Sequence, residues 1–199
     1  MIMTIGITIN EVLRDFIGQL TYTYEKYIKE TDINEDDVKS LELLDYFKFD
    51  NVEAMNHFIY KEAALEIFGH ADQKTPNLIN HFNEFISNIL DEEEHEIVIV
   101  SREADKSIPS TFFFLSKLGC RIPKVEFVTA YEDKWNNVDL LITANPKALE
   151  MQPKNKTSIK IKTSYNEDSK ADYEFDSLID LIRDEDAFDV IIKKAKKKK

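Results

Sequence analysis

The spacing of apolar residues changes along the chain, and each change marks an element. "TIGITI" (4–9) is mostly apolar and β-branched, the pattern of a strand covered on both faces. From 11 to 30 the period becomes helical, with Val12, Leu13, Phe16, Ile17, Leu20, Tyr24, Tyr27 and Ile28 on one side. Residues 31–90 carry no strand pattern. "NVEAMNHFIYKEAALEIFGHA" reads as helix with Gly69 as its stop, and "TPNLINHFNEFISNILDEEE" as helix with a Thr75 cap and Pro76 in its first turn. Strands return at "EIVIVS" (96–101), "KVEFVT" (124–129) and "VDLLITANP" (138–146). The segment 107–120 between the first two reads as a helix closed by Gly119. "TSIKIKT" (157–163) alternates like an edge strand, and the segment from "DYEFD" onward reads as helix with a basic end.

Strand, helix, helical block, then strand–helix–strand–strand implies an α/β chain. The expected fold is Rossmann-like, a mostly parallel sheet with crossover helices and an inserted helical cap. The expected division is a core of residues 1–30 and 91–185, a cap of 31–90, and a basic helix or tail of 186–199. Ligands of such sheets bind beyond the carboxyl ends of the strands. The positions to inspect are therefore Thr8, Asn10, Ser101, Arg102, Thr129 and Thr143 to Asn145.

The formal charge of −12 narrows the choice of partners. Six lysines fall in "KKAKKKK" at 193–199, leaving 20 of the 26 basic side chains against 38 acidic ones. Such a body repels nucleic acid through its general field. The tail suits an acidic partner or a phosphate backbone, or else serves as a solubilising helix end. Cys120 is the only cysteine, so no internal disulfide forms, which suits a reducing, cytoplasmic setting. No signal-peptide pattern and no membrane-length apolar run is read, so no membrane association is expected. His57, His70, His81 and His95 lack ligand spacing and read as structural or solvated.

"IGITINEVLRDF" resembles the first motif of the haloacid dehalogenase-like superfamily, in which a strand ends in Asp-x-Asp. "IVIVSRE" resembles its second motif, and "DKWNNVDLLITANP" its third and fourth, a Lys and then a strand ending in paired acids. The segment "SREADKSIPSTFFFLSKLG" and the helical cap are similar to the 5′(3′)-deoxyribonucleotidase-like branch, tailed-phage relatives included. The resemblance implies an aspartyl-phosphate mechanism with Mg²⁺ held by acids and phosphoryl oxygens held by Ser or Thr and Lys.

At the matching positions this chain has Thr8 for the nucleophile and Asn10 for the general acid, with Thr143 and Ala144 for the metal ligands. Ser101 and Lys134 match the phosphate-holding pair. A threonine hydroxyl without a base is a poor nucleophile, asparagine cannot cycle a proton, and no carboxylate is left to attract Mg²⁺. The expectation is a catalytically silent site needing no cofactor, with a protein partner or self-assembly as the working mode. A virion component or assembly factor, in the virion or the host cytoplasm, is what the phage resemblance implies. Two alternatives stay open. One is a non-hydrolysing phosphate or nucleotide binder, with backbone N–H groups at a helix start on Asn10 helping to hold the anion. The other is a Mg²⁺-dependent phosphatase that draws its metal ligands from Asp15, Asp139 or Glu103.

Overall fold

The computed structural model describes residues 2–28, 32–92, 95–122 and 124–198, with the side chains of 89–92 left aside. The expected helix end at 30, the Ile89 and Leu90 side chains, Glu93 and Glu94 of the acidic run, and Lys199 lie outside the described residues. The strands are β1 (Thr4–Ile7), β2 (Glu96–Ser101), β3 (Val125–Phe127), β4 (Leu140–Thr143), β5 (Thr157–Ile161) and β6 (Tyr173–Phe175). The helices are α1 (Phe16–Tyr27), α2 (Val52–His57), α3 (Leu78–Glu92), α4 (Ser107–Lys117), α5 (Pro146–Glu150), α6 (Leu178–Arg183) and α7 (Glu185–Lys198). Wide π-helical turns at Phe58–Glu62 and Leu65–Gly69 carry the chain onward from α2.

The six strands form one parallel sheet in the order β3-β2-β1-β4-β5-β6. The α/β, Rossmann-like reading therefore holds. β1 lies between β2 and β4, with Ile5 opposite both Ile97 and Leu140. One sheet face packs Ile5, Ile7, Ile97 and Ile99 with Phe82, Phe85, Phe114 and Ile191. The other packs Val98, Val100 and Leu141 against Trp135 and Val138. Gly6 is required on that face, because a Cβ there would lie 2.7 Å from Val138 Cγ1. A separate cluster, with Phe16, Leu20, Tyr24, Phe47, Ile59 and Phe68 in it, joins α1 to the segment between Val38 and Phe68. Among the described residues no helix is long and apolar enough to cross a membrane.

Three sequence expectations are corrected. The helix read from residue 11 starts at Phe16, because residues 11–14 form a tight loop. Glu11 takes a positive φ of 60°, and the amides of Leu13 and Arg14 both donate to the Ile9 carbonyl. The Glu11 carboxylate accepts from the Ile17 amide at 2.8 Å, satisfying the first turn of α1 from inside the loop. There is thus no helix start on Asn10 to hold an anion. β5 is an interior strand rather than an edge. Its Lys160 is buried, with Nζ donating to the carbonyls of Asn166, Glu167 and Ser169 and paired to Glu174 at 2.9 Å. A lysine whose stem packs and whose head is satisfied mimics an exposed position in sequence. The segment read as one terminal helix begins with the edge strand β6. It then breaks into α6, capped by the Ser177 side chain, and α7. The basic end is no free tail. Phe188, Ile191, Ile192 and Ala195 bury one side of α7, Phe188 packs edge-on to Phe85, and Lys198 pairs with Asp172 at 2.6 Å.

One cation ties the sheet loop to the cap. Lys74 Nζ lies 2.7 Å from Glu11, 3.0 Å from Asp15 and 3.0 Å from Glu35. Burial opposes its charge, but Glu11 and then Asp15 outweigh that and hold the ammonium above its ordinary value. Glu11 is 3% exposed, so losing its counter-ion leaves a carboxylate stranded in the interior. Lys74→Met should cost about 3 kcal/mol in urea unfolding, and adding Glu11→Gln should recover most of it. A single variant as stable as the native chain would contradict this account of the clamp.

Candidate functional site

The carboxyl ends of β1, β2 and β4 converge beside Leu43, Met55 and Ile59, which is where the sheet topology places ligands. Thr8 continues β1, its amide donating to the Ile142 carbonyl at 3.0 Å. Its hydroxyl lies 3.0 Å from that of Thr143, which also accepts from the Asn145 amide at 3.1 Å. Ala144 is fully buried, and its carbonyl accepts from Asn166 Nδ2. Asn145 spends its side-chain oxygen capping α5 at the Ala148 amide. The β1–β4 junction is thus closed by two hydroxyls bonded to each other.

Asn10, Ser101 and Glu103 are organised by a residue that sequence reading passed over. Arg14 is fully buried, and its five N–H groups are all used. Nε and Nη2 donate to Asn10 Oδ1 at 3.0 and 2.6 Å, and Nη2 also donates to Glu103 Oε1 at 2.7 Å. Nη1 donates to Thr111 Oγ1 at 2.7 Å and to the Phe68 carbonyl at 3.2 Å. Glu103 Oε1 further accepts from Ser101 and Thr111, both at 3.1 Å, while its Oε2 is buried without a hydrogen-bond partner among the described residues. Burial lowers the Arg14 pKa from its ordinary value, and the nearby Glu103 carboxylate opposes that shift.

Lys134 sits in the 3₁₀ turn Glu132–Trp135, only 5% exposed. Among the described residues its ammonium has no hydrogen-bond acceptor; its neighbour is the Tyr131 ring, 5.7 Å away. Burial pulls its pKa down to about 8, against the attraction of Glu103. Arg102 lies over the same ring at 4.9 Å and Lys147 at 5.7 Å, so three cations surround one aromatic side chain in an acidic protein. Lys134, Arg102 and Tyr131 face a cavity of 280 Å³. Its polar wall includes Thr8, Asn10, Ser101, Arg102 and Lys134, and its apolar wall includes Leu43, Met55 and Ile59 of the cap. Among the described residues no carboxylate lines it. A second cavity of 630 Å³, which includes Glu53, Glu103 and Asp105 in its wall, adjoins it through Asn56, Tyr60 and Arg102.

The structure brings Thr8, Asn10, Ser101 and Lys134 to this cavity. Thr143 lies behind Thr8, and Ala144 is buried away from the cavity wall. Magnesium does not fit this donor set, since it demands hard anionic oxygens and finds paired hydroxyls, an amide and cations. The acids named as substitutes are occupied elsewhere. Asp139 accepts from the Thr4 amide at the opposite end of β1, Asp15 belongs to the Lys74 clamp, and Glu103 is held by Arg14. Glu11, Asp15 and Glu35 do converge like metal ligands, but around the Lys74 ammonium. His70 and His81 face Glu66 and Glu84 on their own helices, and His95 accepts from the Met3 amide.

Comparison with family models and with curated proteins matches nothing. Among solved structures, the chain is similar to a phosphonoacetaldehyde hydrolase-like protein from Oleispira antarctica. The TM-score is 0.66 at 11% identity, over 98% of this chain and 94% of that one. The likeness carries an α/β, Rossmann-like fold, and at that identity it carries the fold alone.

The Lys134 environment sets a pH dependence. Between about 8 and the ordinary lysine value of 10.5 the unfolded chain holds a proton that the folded chain has released. Stability from this group therefore rises with pH across that window, and its full penalty applies below about 8. Lys134→Met should remove that rise, seen as a smaller difference between urea midpoints at high and neutral pH than in the native chain. Equal differences in the two proteins would contradict the burial of an unpaired charge.

Proposed function

We propose that the chain is a catalytically silent haloacid dehalogenase-like protein whose cleft holds a small phosphate-bearing ligand without metal and without turnover. The observation that carries this reading is the composition of the cavity at the strand ends, which has cations and amide or hydroxyl groups and no carboxylate. A buried ammonium lacking an acceptor gains most from an anion, because hydrogen bonds to charged groups are the strong ones. Lys134, Arg102 and Asn10 supply donors to the oxyanion. Ser101 stands beside them, its proton directed at Glu103. The Leu43, Met55 and Ile59 wall covers an apolar group carried by the ligand. Hydrolysis lacks its means: Thr8 has a hydroxyl partner in place of a base, and Asn10 has no proton to cycle.

A second reading, an interaction module of the assembly-factor kind, is favoured by one surface. Leu65, Phe112 and Phe113 are each more than two-fifths exposed, and Leu65 and Phe113 both crowd Gly69. Sedimentation of the native chain against Phe113→Ser tests it. A concentration-dependent association lost in the variant supports the reading, and a monomer in both counts against it.

The ligand reading is tested by titrating the native chain with inorganic phosphate and deoxynucleoside monophosphates, with and without Mg²⁺, while following phosphate release. Saturable binding indifferent to Mg²⁺ and no release are expected. Affinity should fall as pH passes about 8, where Lys134 loses its charge. Lys134→Met should weaken binding roughly tenfold to a hundredfold. Mg²⁺-dependent release of phosphate by the native chain would overturn the proposal.

A further inference from the structure

Arg14 and Glu103 lie 89 residues apart and form an ion pair whose side chains are both 0% exposed. Replacing such a pair by apolar residues is often neutral or stabilising, so fold stability alone is a weak reason for it. Its geometry gives a stronger one. An arginine only donates, so the Asn10 atom that faces Nε and Nη2 must be the carbonyl oxygen. The amide is thereby locked in one orientation, with Nδ2 on the side away from the guanidinium. Among the described residues Nδ2 has no hydrogen-bond partner, and Asn10 lines the 280 Å³ cavity. Glu103 completes the arrangement. It neutralises Arg14, takes the Ser101 proton, and attracts the Lys134 ammonium from behind the cavity.

Resting on the ligand reading above, we infer that Arg14 and Glu103 are positioning residues that turn Asn10 into the specificity-determining donor of the cleft. The cleft accordingly takes a tetrahedral oxyanion through an amide N–H, at a position where a carboxylate would repel it. An aspartate at position 10 would give one oxygen to Arg14 and present the other to the anion. An asparagine gives its oxygen to Arg14 and presents two N–H groups. Discrimination between these two cases rests on which atom Arg14 grips, so it is lost when the fork is lost. Lysine at position 14 keeps the charge but cannot grip one oxygen with two N–H groups in a fixed plane.

Sulfate and inorganic phosphate, titrated calorimetrically at constant ionic strength, are the probes. Asn10→Ala should weaken both about tenfold, and Asn10→Asp roughly a hundredfold. Arg14→Lys should weaken them by about as much as Asn10→Ala, and the double variant no further, because both act through the same donor. The Asn10 side-chain amide resonances give a readout that a purely structural pair would not move. They should shift on adding sulfate to the native chain and stay unmoved in Arg14→Lys. Should Arg14→Lys fail to fold, the two Asn10 variants, altered at a partly exposed side chain, decide the matter. No anion binding by the native chain overturns the ligand reading and this inference together. Binding by the native chain that Asn10→Ala retains within about twofold overturns this inference alone.

Discussion

A guanidinium shut off from water constrains more of this protein than any other single group. Arg14 bonds to Asn10 after β1, to Glu103 after β2, to Thr111 on α4 and to the Phe68 carbonyl in the cap region, and it packs over the Phe68 and Phe114 rings. An unpaired charge in that place would cost several kcal/mol, so each partner must be present for the others to be tolerable. The tight loop at 11–14 follows from the same demand. It folds the chain back so that Arg14 reaches Asn10, and it delivers Glu11 to the first turn of α1 and to Lys74. One fully buried ion pair and one partly buried clamp thus join the loop after β1 to Glu103 and to the segment that holds Glu35 and Lys74.

That constraint sets the chemistry at the strand ends of this α/β sheet. Where carboxylates would hold a metal, Thr8 and Thr143 bond to each other and close the strand ends. What the cleft gains is positive charge: Lys134 buried, with Arg102 and Lys147 gathered around Tyr131. Burial makes the Lys134 charge costly to maintain unless something anionic meets it. The larger neighbouring cavity is lined partly by acids.

The sheet was largely legible from sequence because β1, β2 and β4 are short, mostly apolar runs, covered on both faces. β5 was read as a strand but placed at the edge, and β6 was read as part of a helix. Lys160 gives β5 a false polar alternation, and "YEF" is too short to stand out beside two helices. That Thr8, Asn10, Thr143 and Ala144 stand where the resemblance implies reactive acids could be read from the sequence once the strand ends were located. The network that replaces them was not, because Arg14 falls within a helix-like run and its partner Glu103 is 89 positions away. Lys134 could be matched by motif, but nothing in the local sequence shows that it is buried without an acceptor. The Lys74 clamp was hidden for the same reason, since its three carboxylates lie at separations of up to 63 residues in the chain.

The central claim is that this cleft takes an oxyanion and rejects a metal. Anomalous diffraction from crystals soaked with both tungstate and Mn²⁺ addresses it most directly, because the two elements are located separately. The account predicts tungsten within hydrogen-bond reach of Lys134 and Asn10, with no manganese at the strand ends. Manganese seated beside Thr8 and Thr143 would contradict it.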